Sequence, residues 1–427
     1  MNLIFFVIVV IAFLAGALRQ LRWDGTGSAP MDELSKAMID SASGSVTLAL
    51  GLVGVMTLFL GLMKVAEAGG LLTIIARLIR PLMVRLFPQV PADHPAMGAM
   101  ILNMSANALG LGNAATPFGI RAMQELDKLN TRPGTATDAM VLFLAINTSS
   151  VTLLPTGVIA LRAAAGSADP AGILPTTLFA TLCSTTVAIL AAFALRRFFP
   201  VGQGSGGEPA AAVQETVEAL PHEAHEAYPL WVSLLAITLL VTAIPLTVLY
   251  GQAISPWILP GLMVGFLAFG MARGVRIYEV FVEGAKEGFQ VALRIIPYLV
   301  AILVAVGLFR ASGALAALVE MLGPWTARLG LPAEALPMAL LRPLSGSGAY
   351  GVMASLINDP AIGPDSYTGY LVTTLQGSTE TTFYVLAVYF GAVQIRRMRH
   401  ALAAGLLADL AGIAGTIVAV SFLFTHR

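Results

Sequence analysis

The chain is poor in what a water-soluble protein carries most of. Charged residues make up 11% of its 427 positions, where a soluble domain averages about 25%. Its 24 Lys+Arg balance 24 Asp+Glu, and without net charge or a long basic run it is not expected to bind nucleic acid. One cysteine, Cys183, excludes an intramolecular disulfide framework and any multi-cysteine zinc or iron–sulfur site. The five histidines are scattered. Only His222 and His225 are close, and they stand i,i+3 rather than the i,i+4 of an HExxH zinc helix. No metal and no bound cofactor is expected. There is no GxxxxGK[ST] loop, which disfavours ATP-driven pumping by this chain. His94, His222, His225, His400 and His426 fall in loops or at span ends, so an intramembrane hydrolase, and an enzyme generally, is not expected. What the chain does have is apolar: 57% hydrophobic residues and a mean hydropathy of +0.82. This composition reads as an all-α polytopic membrane protein, with the lipid bilayer as its first partner.

A spanning helix needs roughly 20 mostly apolar residues. The segments Asn2–Leu18, Val46–Leu62, Ile173–Leu195, Leu230–Tyr250, Ile254–Met271, Val291–Leu308 and Ala401–Phe424 qualify. The first has no basic residue ahead of its apolar core, which favours a retained span over a cleaved signal peptide. Met97–Arg162 and Leu336–Ile395 are apolar but interrupted by Gly, Pro, Asn, Ser and Thr. Such composition predicts broken helices and re-entrant hairpins, tolerated at membrane depth only inside protein or beside a water-filled cavity. Roughly nine crossings result, and the distribution of Lys and Arg favours a cytoplasmic N-terminus and an external C-terminus.

Three segments follow: a membrane half over 1–200, a Gly- and Glu-rich polar cytoplasmic linker over 201–228, and a second membrane half over 229–427. Each half has the same plan. Val46–Leu62 leads to amphipathic Leu71–Phe87, the Asn/Gly-rich stretch Asn103–Gly119, and Ile146–Thr152. Val291–Leu308 leads to amphipathic Leu315–Leu329, the Ser/Gly-rich stretch Leu344–Gly351, and Leu375–Thr381. Aligning Asn147 with Gln376 sets Ser149 on Ser378, Ser150 on Thr379 and Thr152 on Thr381. Under the orientation above the repeats are inverted, a plan that many secondary transporters share, with substrate held where the repeats meet.

The densest signal is Asn103–Pro117, with three asparagines, two glycines and a proline. Gly110 and Gly112 permit a tight turn, and Pro117 suits the first turn of a following helix. Helix packing would explain the glycines. It would not explain Asn103, Asn107 and Asn113, so a hairpin tip that binds an ion or polar solute is expected. Leu344–Gly351, with Ser345 and Ser347, is its counterpart. Ser149, Ser150 and Thr152 beside Asn147, and Ser378, Thr379 and Thr381 beside Gln376, offer hydroxyls and amide carbonyls to a sodium ion or a hydroxylated solute. Glu380 lies inside the second cluster. An intramembrane carboxylate marks a functional site by default, weighed here against a structural pair with Arg342. Asp409 is the only charge in the last span, with Arg342 or Lys64 as its structural partner. Glu380 and Asp409 are the expected coupling groups, for sodium or a proton. Asp138, Asp359 and Asp365 read as helix caps, and Trp and most Tyr as an interfacial belt.

These motifs resemble a known family across nearly the whole chain. The first half, through Asn103–Pro117 and Asn147–Thr152, resembles the spore maturation protein A family. The second, through Leu344–Gly351 and Gln376–Thr382, resembles spore maturation protein B, as though the two were fused. Both belong to the nucleoside-recognition or Gate family, whose domain also occurs in concentrative nucleoside transporters and a ferrous iron transporter. The resemblance implies two inverted Gate-type repeats forming a transport core, with Asn103, Asn107, Asn113, Asn147, Ser149, Thr152, Gln376, Ser378, Thr379 and Glu380 at the matching positions. Outside the repeats the sequence departs from the nucleoside transporters, so nucleoside specificity is not implied. The expected function is secondary transport of a small polar organic solute by a chain compatible with homo-oligomer assembly. The competing expectations are a non-transporting scaffold in envelope remodelling or spore maturation, and a passive channel.

Overall fold

The computed structural model describes residues 2–199 and 228–425. Their sixteen α-helices are α1 (Asn2–Leu21), α2 (Pro30–Ala68), α3 (Leu71–Leu86), α4 (Pro95–Ala108), α5 (Gly112–Lys128), α6 (Asp138–Thr148), α7 (Thr156–Ala164), α8 (Leu174–Leu195), α9 (Leu230–Ala272), α10 (Ile277–Ala311), α11 (Ala314–Thr326), α12 (Leu336–Leu341), α13 (Gly346–Ile357), α14 (Tyr367–Ser378), α15 (Thr382–Ala392) and α16 (Ala401–Thr425). No strand occurs among the described residues, where a lone bridge joins Thr135 to Arg397. The expected linker lies outside the described residues as far as 227.

The repeat is visible as geometry. α2 bends by 67° into α3, and α10 bends by 79° into the segment that begins with α11. Each bend turns on a glycine of positive φ, Gly70 at 87° and Gly313 at 80°, a conformation that costs glycine no Cβ clash. A helical hairpin, a broken helix pair (α6/α7 and α14/α15) and a long terminal helix (α8 and α16) follow in each half.

Equivalent helices of the two halves run antiparallel, which makes the repeats inverted whatever the membrane orientation. Along α2 and α10, Gly307 faces Ser41, Gly288 faces Met56, and Gly284 faces Leu60 and Lys64. Gly284 and Gly288, four apart, bring the two backbones close, as small residues do between membrane helices. Along α8 and α16, Gly415 faces Ala180 and Cys183, the Ser184 hydroxyl donates to the Ala408 carbonyl at 2.8 Å, and the His400 ring lies 3.1 Å from the Ala192 carbonyl.

Two expectations change. Leu230–Tyr250 and Ile254–Met271 are parts of the single helix α9. Among the described residues, two helices (Leu174–Phe198 and Ala401–Thr425) are long and apolar enough to cross a membrane. The number is up to four if each bent pair is one span. The glycines of Gly346–Gly351 form the first turns of α13, not a hairpin tip; the turn is Arg342–Ser345, fixed by the Ser345 and Leu344 N–H groups on the Leu341 carbonyl.

Candidate functional site

α6 starts where the Thr137 hydroxyl accepts from Met140 N, and α14 where Ser366 accepts from Gly369 N. These hydroxyls are the caps. Asp138, Asp359 and Asp365, expected there, instead pair with Arg399 (2.6 Å), Arg310 (2.9 Å) and Arg162 (2.8 Å). Both helices then run buried to a break, at Ser149–Pro155 and Thr379–Thr381. The two breaks cross, and the Glu380 N–H donates to the Thr148 carbonyl at 2.8 Å.

The irregular backbone there is paired group by group, as membrane depth requires. Thr185 donates to the Ser149 carbonyl, Leu153 N to the Ala108 carbonyl (2.9 Å), Arg342 to the Thr379 carbonyl, and Phe383 N to the Pro343 carbonyl (3.1 Å).

The Asn103–Pro117 stretch is the hairpin expected of it. α4 closes with Leu111 N on the Ala106 carbonyl and Gly110 N on the Asn107 carbonyl, both at 2.9 Å, a Schellman ending with Gly110 at φ +75°. Pro117 lies in the second turn of α5, not the first. A Cβ on Gly110 would strike the Leu154 carbonyl oxygen, whereas Gly134, at φ +77°, has open space. Gly110→Ala should therefore cost about 1–2 kcal/mol of left-handed strain plus that collision, and Gly134→Ala the strain alone. Equal falls in thermal midpoint would refute the collision.

Two polar clusters flank the crossing. In the first, Asn103 Nδ2 donates to the Ala115 carbonyl (2.7 Å) and the Tyr389 hydroxyl (3.2 Å). Asn107 Nδ2 donates to Asn147 Oδ1 (3.0 Å), which also accepts from Tyr389 (3.4 Å). Tyr389 stacks on Phe143, its ring centroid 6.1 Å away. In the second, buried Arg342 donates to Thr381 Oγ1 (3.1 Å) and lies 3.8 Å from Glu380, whose side chain is 49% exposed. Asp409 is 3% exposed and accepts from the Thr382 hydroxyl at 2.7 Å. It pairs with neither Arg342 nor Lys64, the partners expected from sequence; Lys64 lies 3.6 Å from Glu67 and 3.4 Å from Glu287.

The remaining candidates are placed as follows. Ser149, Ser378, Ser150 and Thr152 turn their hydroxyls onto nearby carbonyls of their own segments (Ala145, Leu375, Asn147 and Ser150), the local bonding typical of isolated hydroxyls. Gln376 Oε1 is buried without a hydrogen bond. Ser345 caps α13 through Gly348 N, 3.4 Å from Ser347. The Asn113 side chain lies outside the described residues. A groove of about 530 Å³ lined by Leu71 and Trp257–Phe269 contains no candidate residue.

Sequence reasoning passed over Tyr389, which bridges the repeats, and Arg162. Arg162 is 0% exposed. A signal existed for it: the motif Gly166-Ser167-Ala168-Asp169 that follows supplies its acceptors. His400 is buried too, and burial, then Arg399, hold its imidazole below the ordinary 6.5. The unfolded chain therefore binds that proton first, and the fold loses stability as pH drops below about 6.5. His400→Gln should flatten this part of a thermal-midpoint series against pH, and an unchanged slope would refute it.

The nucleoside-recognition (Gate) family matches residues 49–165 and 292–396. Spore maturation protein B of Bacillus subtilis is 50% identical over 166 residues, which is 39% of this chain and 92% of that protein. Spore maturation protein A of the same organism is 46% identical over 160 residues, 38% of this chain and 82% of that protein. A crystal structure of the YdaH transporter of Alcanivorax borkumensis superposes with a TM-score of 0.36 at 15% identity, over 99% of this chain and 98% of that one.

Proposed function

The chain belongs to the nucleoside-recognition (Gate) family of multi-pass bacterial membrane proteins, and we propose that it is a secondary transporter of a small polar organic solute, not an enzyme. One observation carries the reading. Two inverted repeats cross their helix breaks in the protein interior, with Asn103, Asn107 and Asn147 on one side and Arg342, Glu380 and Asp409 on the other. Polar groups of this kind are costly to bury unless they serve a site. The solute is held near the midplane, nucleoside-like or another hydroxylated metabolite, and its movement is coupled to sodium or a proton. The halves 1–200 and 229–427 act as the two moving parts, joined by a cytoplasmic linker at 201–228, with the N-terminus inside and the C-terminus outside.

The spore maturation relatives favour a second reading, a membrane scaffold or regulator without transport. A thermal-shift panel of nucleosides, amino acids and dicarboxylates, each with sodium or choline, separates the two. A bound solute near 100 times its Kd should add about 2.7 kcal/mol of apparent stability, and Asn107→Leu should abolish the shift. A flat panel for the wild-type chain favours the scaffold. Counter-flow in vesicles, absent for a passive channel, completes the test.

A further inference from the structure

Resting on the carrier reading above, we propose that the coupling ion is a proton and that Asp409, not Glu380, carries it. Gly405, Asp409 and Gly412 stand at i, i+4 and i+7, one face of α16. A Cβ on Gly405 would lie 2.8 Å from the Thr382 methyl, and one on Gly412 would lie 2.6 Å from the Thr379 methyl. The two glycines thus let α16 press against the crossing of the breaks, and they place Asp409 between them. Its Oδ2 accepts from Thr382, while its Oδ1 is buried with no hydrogen bond.

Arg342 is the one cation facing this crossing among the described residues, and it lies beside Glu380 while giving its other bonds to Thr379 and Thr381. Glu380 reaches outward from the protein. An ionised Asp409 would bury a carboxylate oxygen that has no hydrogen bond, a cost that protonation removes. A proton does this without volume. A sodium ion would need room that the contacts at Gly405 and Gly412 deny, and it would be repelled by Arg342. The remaining titratable groups on the packed helices are farther off: Cys183 of α8 faces Gly415, nearly two turns along α16, and Tyr389 is held by the asparagine cluster.

Infrared spectroscopy of the full-length protein at neutral to mildly alkaline pH tests this without any solute. The expected spectrum contains the carbonyl stretch of a protonated carboxylic acid, unchanged when sodium replaces choline. Asp409→Asn should lose the band and Glu380→Gln should keep it. If Asp409→Asn does not fold, Asp409→Glu should shift the band. Absence of the band in the wild-type protein, its survival in Asp409→Asn, or its loss on adding sodium would overturn the assignment. The carrier reading fails separately, by a solute panel that stays flat while the band is present.

Discussion

Arg162→Met should lower the thermal midpoint in detergent by about 3–6 °C, the effect of about 3–5 kcal/mol for breaking a buried ion pair. The guanidinium lies 4.2 Å over the Tyr370 ring and donates to the Pro364 carbonyl (2.6 Å), the Asp169 carbonyl (3.0 Å), Ser167 (3.1 Å) and Asp365 (2.8 Å). It therefore ties the end of α7 in one repeat to the start of α14 in the other. Methionine preserves much of the packing and removes every one of those donors. Asp365→Asn should cost less, about 1 kcal/mol, since the Asp365 side chain is 37% exposed and asparagine still accepts. A double-mutant cycle between the two positions should give a coupling of 0.5–3 kcal/mol in order of magnitude. Near-zero coupling, or a cost for Asp365→Asn equal to that for Arg162→Met, would show that the pair does not hold the repeats together.

A second tie stands at the opposite end of α6. Arg399, just before α16, donates to Asp138 (2.6 Å) and to the carbonyls of Ala136 (3.2 Å) and Phe199 (2.7 Å). Each tie joins the end of one repeat's broken helix pair, or the loop after it, to the start of the other repeat's. The symmetry of the two ties follows from inversion of the repeats.

Much of this architecture is legible in the chain because bilayer physics leaves few options. Uninterrupted apolar runs become α8 and α16, and Asn103–Pro117 becomes a hairpin because Gly110 supplies the one residue that enters the left-handed region without strain. The match of Asn147–Thr152 with Gln376–Thr381 locates both breaks, since neither segment can continue as a lipid-facing helix. What the sequence conceals is pairing across long separations. Arg162 finds Asp365, and Tyr389 finds Asn103 and Asn147, through contacts more than two hundred residues apart, and no local pattern encodes which partner a buried polar group will meet. The glycines of α13 mislead for a related reason. Gly346 looks like turn material, but a Cβ there would lie 2.8 Å from the Thr381 hydroxyl, so glycine there serves close packing rather than a bend.

The crossing itself should respond asymmetrically to substitution. Arg342→Gln strands Glu380 next to a buried Asp409 and withdraws the donors that hold the Thr379 carbonyl and the Thr381 hydroxyl. Leaving those two buried acceptors unpaired costs about 1–3 kcal/mol each. Glu380→Gln removes a half-exposed charge 3.8 Å from its partner, a contact of the kind worth under about 1 kcal/mol. It leaves every donated bond of Arg342 in place. The double variant Arg342→Gln/Glu380→Gln should regain part of what Arg342→Gln loses, because the stranded carboxylate is gone, but not the part owed to the Thr379 and Thr381 bonds. Arg342→Lys keeps the charge without the planar fork that serves two acceptors at once, so it should fall between wild type and Arg342→Gln. Thermal midpoints of the four variants in detergent check this order. If Glu380→Gln proves as damaging as Arg342→Gln, the ion pair and not the backbone bonds holds the break together. If Arg342→Lys matches wild type, charge alone suffices there.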